Sequence, residues 1–355
     1  MNAKLIYRTP GMLQLVELAG RTCYRSEAKI TDSSAAGFVS RIVSRGHESV
    51  IEHSQIVIEV VGAPAETLLT ALRLNRYITA YPTGEDGLYL AGNARMFKDL
   101  VRAGKEYLAS TDDPRFAELI DQLLEQLYSL PQAFFVDFVN HGWMDAHRFT
   151  EEQTEEGTPT IVPRMIFSQK GQTVELLNLD TRFPELEGLP TTTQEGLVSC
   201  TLRVTTSRDS THQEVRHRPA AYSQESQRYV DLQNQLQYVH PEEIPQDQRI
   251  TVDFSGMDSM LGSEVHLTFD EMMQVTHRFY RALRAAGFVP EVARGILPNA
   301  MGTTIVITRT LANWRHYLQL RTEAGAQRPI RVRAQAILAE LQAAGWLLDL
   351  NRTEK

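Results

Sequence analysis

The sequence predicts an α+β fold in which a mixed or antiparallel sheet packs against helices. Helical and extended segments alternate irregularly along the 355 residues, whereas a doubly wound sheet would alternate them regularly. No glycine-rich loop of the GxGxxG or Walker type opens a helical segment. The length suffices for a large core, and we interpret residues 1–355 as one domain with a largely helical insertion at about 62–197.

The composition is that of a globular protein with an acidic balance. Its 36 Lys and Arg residues against 44 Asp and Glu residues give a formal net charge of −8 at pH 7. Because nucleic acids and anionic membranes require a basic face, this charge argues against both as partners. No apolar run reaches the length of a membrane span, and the opening MNAKLIYRTPGML has no sustained apolar core, so we expect a cytoplasmic protein.

Cysteine and histidine spacing favours neither a disulfide framework nor a metal site. The sequence contains two cysteines, Cys23 and Cys200, which are too few for such a framework and suit a reducing compartment. Cys200 lies in the alternating SCTLRV and is predicted to be a small buried core residue. His141 and His147 are six residues apart, which does not place both on one helical face, so we expect no bound metal.

Apolar periodicity predicts the first elements. Residues 11–45 are expected to be helical with polar turns around Asp32, and EHSQIVIEVVG is expected to form a strand that ends at Gly62. A second strand is predicted in SCTLRV, from Ser199, and we expect the two strands to be neighbours in one sheet. Each is followed by a predicted helix that ends in a basic stretch, LRLNRY or EVRHRP. This similarity is open to two interpretations, an internal duplication or a chance recurrence.

The predicted insertion has helices near 64–76 and 93–108 and an amphipathic helix in PRFAELIDQLLEQLYSL. EEQTEEGTPT around residue 155 and PELEGLPTTTQEG near residue 190 are predicted to be exposed loops. Further on, FDEMMQVTHRFYRALRAAG predicts a helix that stops at Gly287, before Pro290. A last amphipathic helix is predicted from about Val332 to Leu348.

A run of cationic side chains marks the segment STHQEVRHRPAAYSQESQRYV. Arg216, His217 and Arg218 are consecutive, Ser226 follows after a seven-residue gap, and Arg228 comes two residues later. Guanidinium groups cannot lose their charge and bind phosphate with planar, paired hydrogen bonds, so the run suggests a site for a phosphorylated ligand. A solvated basic turn beside an acidic segment is the alternative interpretation of the triplet alone.

Four separated blocks resemble the flavin-dependent thymidylate synthases: GRTCYRS, SRGHESVIEH, HQEVRHRPAAYSQESQRYV and ARGILPNAMGTTIVITRTLANWRHYLQLR. The resemblance implies the reductive methylation of dUMP to dTMP. It further implies methylenetetrahydrofolate as carbon donor, NADPH as reductant, FAD as hydride carrier, and a homotetramer with active sites shared between subunits. Other interpretations are one-carbon transfer to another pyrimidine nucleotide, such as hydroxymethylation, and an inactive nucleotide-binding homologue.

The resemblance assigns a role to each matching residue. Flavin contacts would come from Ser49, Glu52, Arg216, His217, Arg218 and His316, with Arg216 also near the nucleotide. Nucleotide contacts would come from Gln213, Gln224, Ser226, Gln227, Arg228, Arg294 and Arg321. His47 matches a histidine associated with folate binding and transfer chemistry, and Cys23 lies where the family often has a small residue near the flavin. His53 has two interpretations of equal weight, functional or packed and structural.

An arginine-rich site suits this chemistry. Making carbon 5 of uracil nucleophilic without a cysteine adduct requires stabilisation of negative charge on the pyrimidine ring, which fixed guanidinium groups provide. Arg321 matches the arginine that would polarise the uracil, and with His47 we predict it to be catalytic. Ser226 has no carboxylate or histidine placed by spacing to activate it, so binding is the favoured role.

The chain departs from the family pattern at two places. The usual Asn-x-Arg falls on Thr310 to Ala312, and a histidine that commonly follows Arg321 is replaced by Gly325. Asn313 and Arg315 form an Asn-x-Arg about one helical turn later. A second candidate replacement is LYLAGNARMFKDL, where Asn93 and Arg95 reproduce the pattern and would approach the flavin. The alternative is that Asn93 simply caps a helix.

Overall fold

The computed structural model describes residues 1–84, 86–149, 161–180, 182–234, 236–253, 264–346 and 348–351. The described residues form twelve α-helices and three antiparallel sheets, so the predicted α+β class is confirmed. The acidic stretch around residue 155, predicted to be an exposed loop, lies outside these ranges. No helix within them combines the length and apolarity that a bilayer crossing requires.

The first sheet has the strand order β1-β2-β4-β3, and every neighbouring pair is antiparallel. Its strands are β1 (Asn2–Arg8), β2 (Ile56–Val61), β3 (Thr79–Pro82) and β4 (Gly87–Gly92). Its helices are α1 (Met12–Cys23), α2 (Ser34–Ser44), α3 (Ala65–Leu74), α4 (Ala94–Leu108) and α5 (Pro114–Leu127). A short helix, α6 (Val136–Asn140), follows them.

The second sheet has the strand order β5-β6-β7-β11-β8 and is also antiparallel throughout. Its strands are β5 (Arg164–Gln169), β6 (Gln172–Leu179), β7 (Ser199–Ser207), β8 (Ala221–Gln224) and β11 (Gly302–Thr310), while β9 (Ile250–Asp253) and β10 (Glu264–Leu267) form a separate pair. The remaining helices are α7 (Thr191–Leu197), α8 (Arg208–Glu214), α9 (Phe269–Ala285), α10 (Pro290–Ala293), α11 (Leu311–Arg321) and α12 (Arg328–Ala343).

Local signals predicted most elements correctly. Helices α1 and α2 fall within the predicted helical region, and β2 ends before Gly62, whose positive φ of 71° suits a glycine. Helix α9 begins with a capping box at Thr268 and stops before Gly287. The last helix begins and ends four to five residues earlier than predicted, at Arg328–Ala343, with Pro329 near its start.

The expected pairing of the strands at Ile56 and Ser199 is wrong. β2 pairs with β1 and β4, whereas β7 pairs with β6 and β11 in the other sheet. Both strands have the same buried, β-branched pattern, which predicts a strand but not its partner. Pairing is decided by segments distant in the sequence.

The segment 62–197 contains the helices predicted for it, as α3, α4 and α5. It also supplies two strands to each sheet, β3 and β4 to the first and β5 and β6 to the second. The loop predicted near residue 190 includes the short helix α7. The segment is therefore part of both sheets.

Two apolar clusters form the core. The first packs α1, α2, α4 and α5 against the first sheet, with Ile58 and Phe97 at its centre. The second packs α11 and α12 against the second sheet, where Trp314 and Ile337 are buried. Cys200 is fully buried there, as predicted, and burial raises the pKa of its thiol.

His53 joins the two sheets through its imidazole. It is fully buried, with Nδ1 2.8 Å from the hydroxyl of Thr308 in β11 and Nε2 2.9 Å from the hydroxyl of Ser223 in β8. Burial lowers the pKa of His53 to about 3, so the imidazole is neutral near pH 7. This geometry supports the structural interpretation of His53.

We predict that His53→Gln lowers the free energy of unfolding at pH 7 by about 1–3 kcal/mol, because a buried hydroxyl loses its partner. Between pH 6.5, the ordinary pKa, and about pH 3, the folded imidazole binds fewer protons than the unfolded one. The contribution of His53 to the free energy of unfolding is therefore present above pH 6.5 and is lost as the pH falls through this window. Denaturant unfolding at pH 7 and pH 5 should therefore show a smaller acid-induced loss in the variant than in the wild type. If the free energy of unfolding falls equally in the variant and the wild type between pH 7 and pH 5, groups other than His53 cause the acid dependence.

Candidate functional site

A cavity of about 820 Å³ lies between the two sheets, and we call it the junction cavity. The carboxyl ends of β4 and β11 line it, together with the starts of α4 and α11. Its charged and polar lining includes Glu52, Arg76, Asn93, Arg95, Arg218, Arg309, Thr310 and Asn313. A second cavity of about 360 Å³ contains none of the predicted site residues.

Residues 93–95 contribute to the cavity from the start of α4. The side chain of Asn93 accepts a hydrogen bond from the backbone N–H of Met96, so the helix-cap interpretation of Asn93 is confirmed. Arg95 donates to Glu52 at 2.5 Å. Burial raises the pKa of Glu52, and Arg95 opposes that rise. Both Asn93 and Arg95 line the same cavity as Thr310, which is the juxtaposition that the sequence suggested.

A buried ionic cluster holds the turn that carries Glu52. Lys98 is fully buried and donates to Glu48 at 2.6 Å and to Asp137 at 2.7 Å, while Arg102 donates to the same two carboxylates. Burial alone would raise the pKa of Glu48, but the hydrogen bonds from Arg102 and Lys98 lower it to about 2. Sequence reasoning missed this cluster, although a lysine on the apolar face of a helix was a usable signal.

The other side of the cavity contains Arg309, which sequence reasoning also missed. Its guanidinium is buried, 4.3 Å from the ring centre of Trp314 and 4.5 Å from that of Tyr317. One carboxylate oxygen of Glu214 lies 3.6 Å away. Nε and Nη1 of Arg309 have no hydrogen-bond partner within the described residues. An inward arginine in the alternating GTTIVITRT was the available signal.

The structure brings His217 and Arg321 into direct contact. Nε–H of Arg321 donates to Nε2 of His217 at 2.9 Å, and Nη1 donates to Gln213 at 3.2 Å. Burial, followed by the positive charges of Arg309 and Arg321, lowers the pKa of His217 to about 4. His217 is therefore neutral near pH 7 and accepts from Arg321. His316 is exposed, with its ring 6.5 Å from that of His217.

A second group of predicted nucleotide residues lies in the loop after β8. The backbone N–H of Arg228 donates to the hydroxyl of Ser226 at 3.3 Å, and the side chain of Arg228 lies 3.9 Å from Glu291. Gln224 donates to Thr211 at 2.9 Å. Gln227 is buried, and Arg294 is partly exposed at the end of α10. The predicted nucleotide residues thus form two groups, one around Arg321 and one around this loop.

Of the remaining predicted residues, His47, Ser49 and Arg216 are exposed and Cys23 is partly buried. Arg216 lies just after α8, while His47 and Ser49 lie on the turn before β2 and do not line the junction cavity. The carbonyl of Cys23 accepts from the backbone N–H of Ser226 at 2.9 Å. Burial raises the pKa of the Cys23 thiol to about 11, so it is protonated near pH 7 and unsuited to act as a nucleophile.

Metal-binding side chains do not cluster in the described part of the chain. Within these residues no group of three or more His, Cys, Asp or Glu side chains is placed to hold a metal ion. Nδ1 of His141 lies 2.7 Å from the carbonyl oxygen of Asp137, which uses this ring nitrogen in a local hydrogen bond.

Comparisons with known proteins identify the family of the chain. The model of the family described as thymidylate synthase complementing protein matches residues 4–77 and 191–344. Proteins named flavin-dependent thymidylate synthase share 35% identity over 138 residues in Pyrococcus abyssi and 36% over 141 residues in Mycobacterium sp. (strain KMS). These matches cover 38% and 39% of this chain and 50% and 55% of the relatives, so the chain spans about half the length of the relatives it matches. Because the family model covers more than half of the residues, the chain belongs to the thymidylate synthase complementing protein family.

Proposed function

We propose that this protein converts dUMP to dTMP by reductive methylation, with methylenetetrahydrofolate as carbon donor, FAD as hydride carrier and NADPH as reductant. The observation that carries the proposal is that Arg218 of the RHR motif and Arg95 of an Asn-x-Arg motif line one cavity. The relatives in Pyrococcus abyssi and Mycobacterium are named for this flavin-dependent synthesis. The family resemblance adds the nucleotide, the folate, NADPH and a homotetramer.

The junction cavity fits a large anionic cofactor. Its volume of about 820 Å³ lies within the range of roughly 300–1,000 Å³ that is typical of ligand sites. Four arginines line it against two carboxylates, Glu52 and Asp99, so positive charge predominates at its surface.

FAD in this cavity would be held by Asn93 and Arg95 on one side and by Arg218 on the other. When bound, FAD supplies the hydride that completes the methyl group. Arg309 lies beneath the site as a permanent positive charge held against the Trp314 and Tyr317 rings. Such fixed cations favour anionic groups without reorganising during the reaction.

Arg321 would stabilise the pyrimidine as it becomes electron-rich. Its guanidinium is oriented by two acceptors, Nε2 of His217 and the side-chain oxygen of Gln213. Because His217 is neutral, it orients Arg321 without adding a second repelling charge. We assign Arg321 to polarising the uracil ring, and His47 on the exposed turn to folate binding and transfer.

A tritium-release assay on dUMP labelled at carbon 5, with methylenetetrahydrofolate and NADPH, tests the proposal directly. The proton at carbon 5 leaves as the new carbon–carbon bond is completed, so release of label and formation of dTMP should be equal. Release with a hydroxymethylated product would favour the alternative one-carbon transfer. No release from a protein that binds dUMP would indicate an inactive homologue.

We predict that FAD copurifies with the protein and that NADPH bleaches its absorbance at visible wavelengths, because hydride transfer requires a reduced flavin. Absorbance spectra recorded before and after anaerobic addition of NADPH measure this bleaching. A colourless protein that cannot be reconstituted with FAD would exclude the flavoenzyme function.

Arg321→Lys should lower turnover by roughly 10- to 100-fold, because a lysine cannot donate to His217 and Gln213 together and a charged hydrogen bond contributes about 1.5–3 kcal/mol. The tritium-release rate at saturating dUMP is the measurement. Arg41→Lys, an exposed change on α2, is the matched control and should retain the wild-type rate. Wild-type turnover in Arg321→Lys would instead assign Arg321 to structure.

Ser226→Ala should raise the KM for dUMP by about fivefold while retaining most of kcat, because one neutral hydrogen bond contributes on the order of 1 kcal/mol. Initial rates over a range of dUMP concentrations separate the two constants. If kcat disappears while dUMP still binds normally, Ser226 acts as a nucleophile and our assignment is wrong.

A further inference from the structure

The two sheets share one plan. The first half of the chain (residues 2–127) has the order β1-β2-β4-β3, and the second half (residues 172–343) has β6-β7-β11-β8, with β5 added at its edge. Every neighbouring pair in both sheets is antiparallel. Strand by strand, β1, β2, β3 and β4 therefore correspond to β6, β7, β8 and β11.

The helices occupy corresponding places. α3 connects β2 to β3, and α8 connects β7 to β8. Two consecutive helices follow the last strand of each half along the chain: α4 and α5 follow β4, and α11 and α12 follow β11. A helical turn also precedes the second strand in each half, at Glu48–Glu52 before β2 and as α7 before β7. The additional elements β9, β10, α9 and α10 lie between β8 and β11.

The halves contact each other reciprocally. The turn Glu48–Glu52 of the first half packs against β8 of the second, and His53 just after it contacts Ser223. In return, α7 of the second half packs against β3 of the first. Gly196 of α7 is so close to Tyr81 of β3 that a β-carbon on it would lie 1.9 Å from the tyrosine oxygen. Such an exchange of equivalent surfaces is what a two-fold axis produces.

A two-fold axis relating the halves would pass through the junction cavity, because equivalent residues line it from both sides. Arg76 stands three residues before β3, and Arg218 stands three residues before β8. Asn93 caps α4 after β4, and Thr310 caps α11 at the end of β11. All four residues line the cavity.

The equivalent positions have diverged in a complementary way. The first half has Asn93 and Arg95 at the start of α4, where the second half has Thr310 and Ala312. The second half has Arg216, His217 and Arg218 before β8, where the first half has Leu74, Asn75 and Arg76. Arg95 is thus retained only in the first half and Arg216 only in the second, whereas Arg76 and Arg218 keep a cation at the same position in both.

We propose that the chain is an internal pseudo-dimer whose flavin site is completed within one chain. The first half contributes Asn93 and Arg95, and the second half contributes Arg218. This inference rests on the proposed flavin function and adds that one FAD binds per chain. A second copy of the chain is not required for these contacts.

Mixing two defective variants tests whether the site is intramolecular. Arg95→Ala and Arg218→Ala should each weaken FAD binding by about tenfold or more, because each loses a charged hydrogen-bond donor. The variants are coexpressed with different tags, and mixed oligomers are isolated by tandem purification. If both residues act within one chain, no mixed oligomer contains an intact site, and FAD binding stays as weak as in the single variants.

Controls and outcomes separate this inference from the proposed function. Arg73→Ala, an exposed change on α3 away from the cavity, should bind FAD like the wild type, and circular dichroism checks the fold of each variant. A wild-type protein that binds FAD as a monomer supports the inference, as does lack of rescue in mixed oligomers. Restored FAD binding in mixed oligomers would overturn the inference and leave the flavin function standing. A wild-type protein that binds no FAD would overturn both.

Discussion

Much of the architecture depends on the buried imidazole that joins the two sheets. His53 follows the turn of Glu52 directly and contacts Thr308 in β11 and Ser223 in β8. This places Glu52, and through it Arg95, beside the end of β11. Because a protonated His53 would be a buried charge without a counter-charge, the contact holds only in the neutral form. The hydrogen bonds of the neutral imidazole therefore fix the distance between the two sheets, and charged residues from both sheets line the junction cavity beside this contact.

Positive charge is concentrated at this cavity although the chain as a whole is acidic. Arg95 is partly neutralised by Glu52, whereas Arg309 lies under the cavity against aromatic rings. A guanidinium tolerates such burial because it is weakly hydrated and stacks on π-faces. Glu214, at 3.6 Å, supplies a nearby negative charge. The guanidinium of Arg309 is therefore held in place before any ligand binds. A fixed cation favours the binding of anions whose shape, as well as charge, matches the cavity.

Local patterns predicted the helices and strands but not the pairing between them. Apolar periodicity and caps located α4 and α9, since both signals act within a few residues. The placement of Asn93 and Arg95 beside Thr310 could be suggested because one motif was lost while a copy appeared elsewhere. The contact of His53 with Thr308 joins residues 255 positions apart, which no local pattern specifies. The partners of β2 and β7 were mispredicted for the same reason.

The two sheets also explain how similar strands could be mistaken for neighbours. β2 and β7 resemble each other because they hold the same position in corresponding halves. The basic stretches after them, LRLNRY and EVRHRP, are equivalent in the same way. Of the two interpretations of this similarity, the shared topology favours the internal duplication over a chance recurrence.

Electrostatics gives a reason for the unequal loss of arginines. A symmetric junction would place two copies of each cation around one cavity, and two like charges at roughly 8 Å repel by about 2 kcal/mol at an effective dielectric of about 20. Ala312 and Leu74 occupy the positions that correspond to Arg95 and Arg216, whereas Arg76 and Arg218 both remain. One set of cations still reaches a ligand on the axis, because Arg95 and Arg218 approach from opposite halves. Once both halves belong to a single chain, the redundant charges can be lost from each without emptying the site.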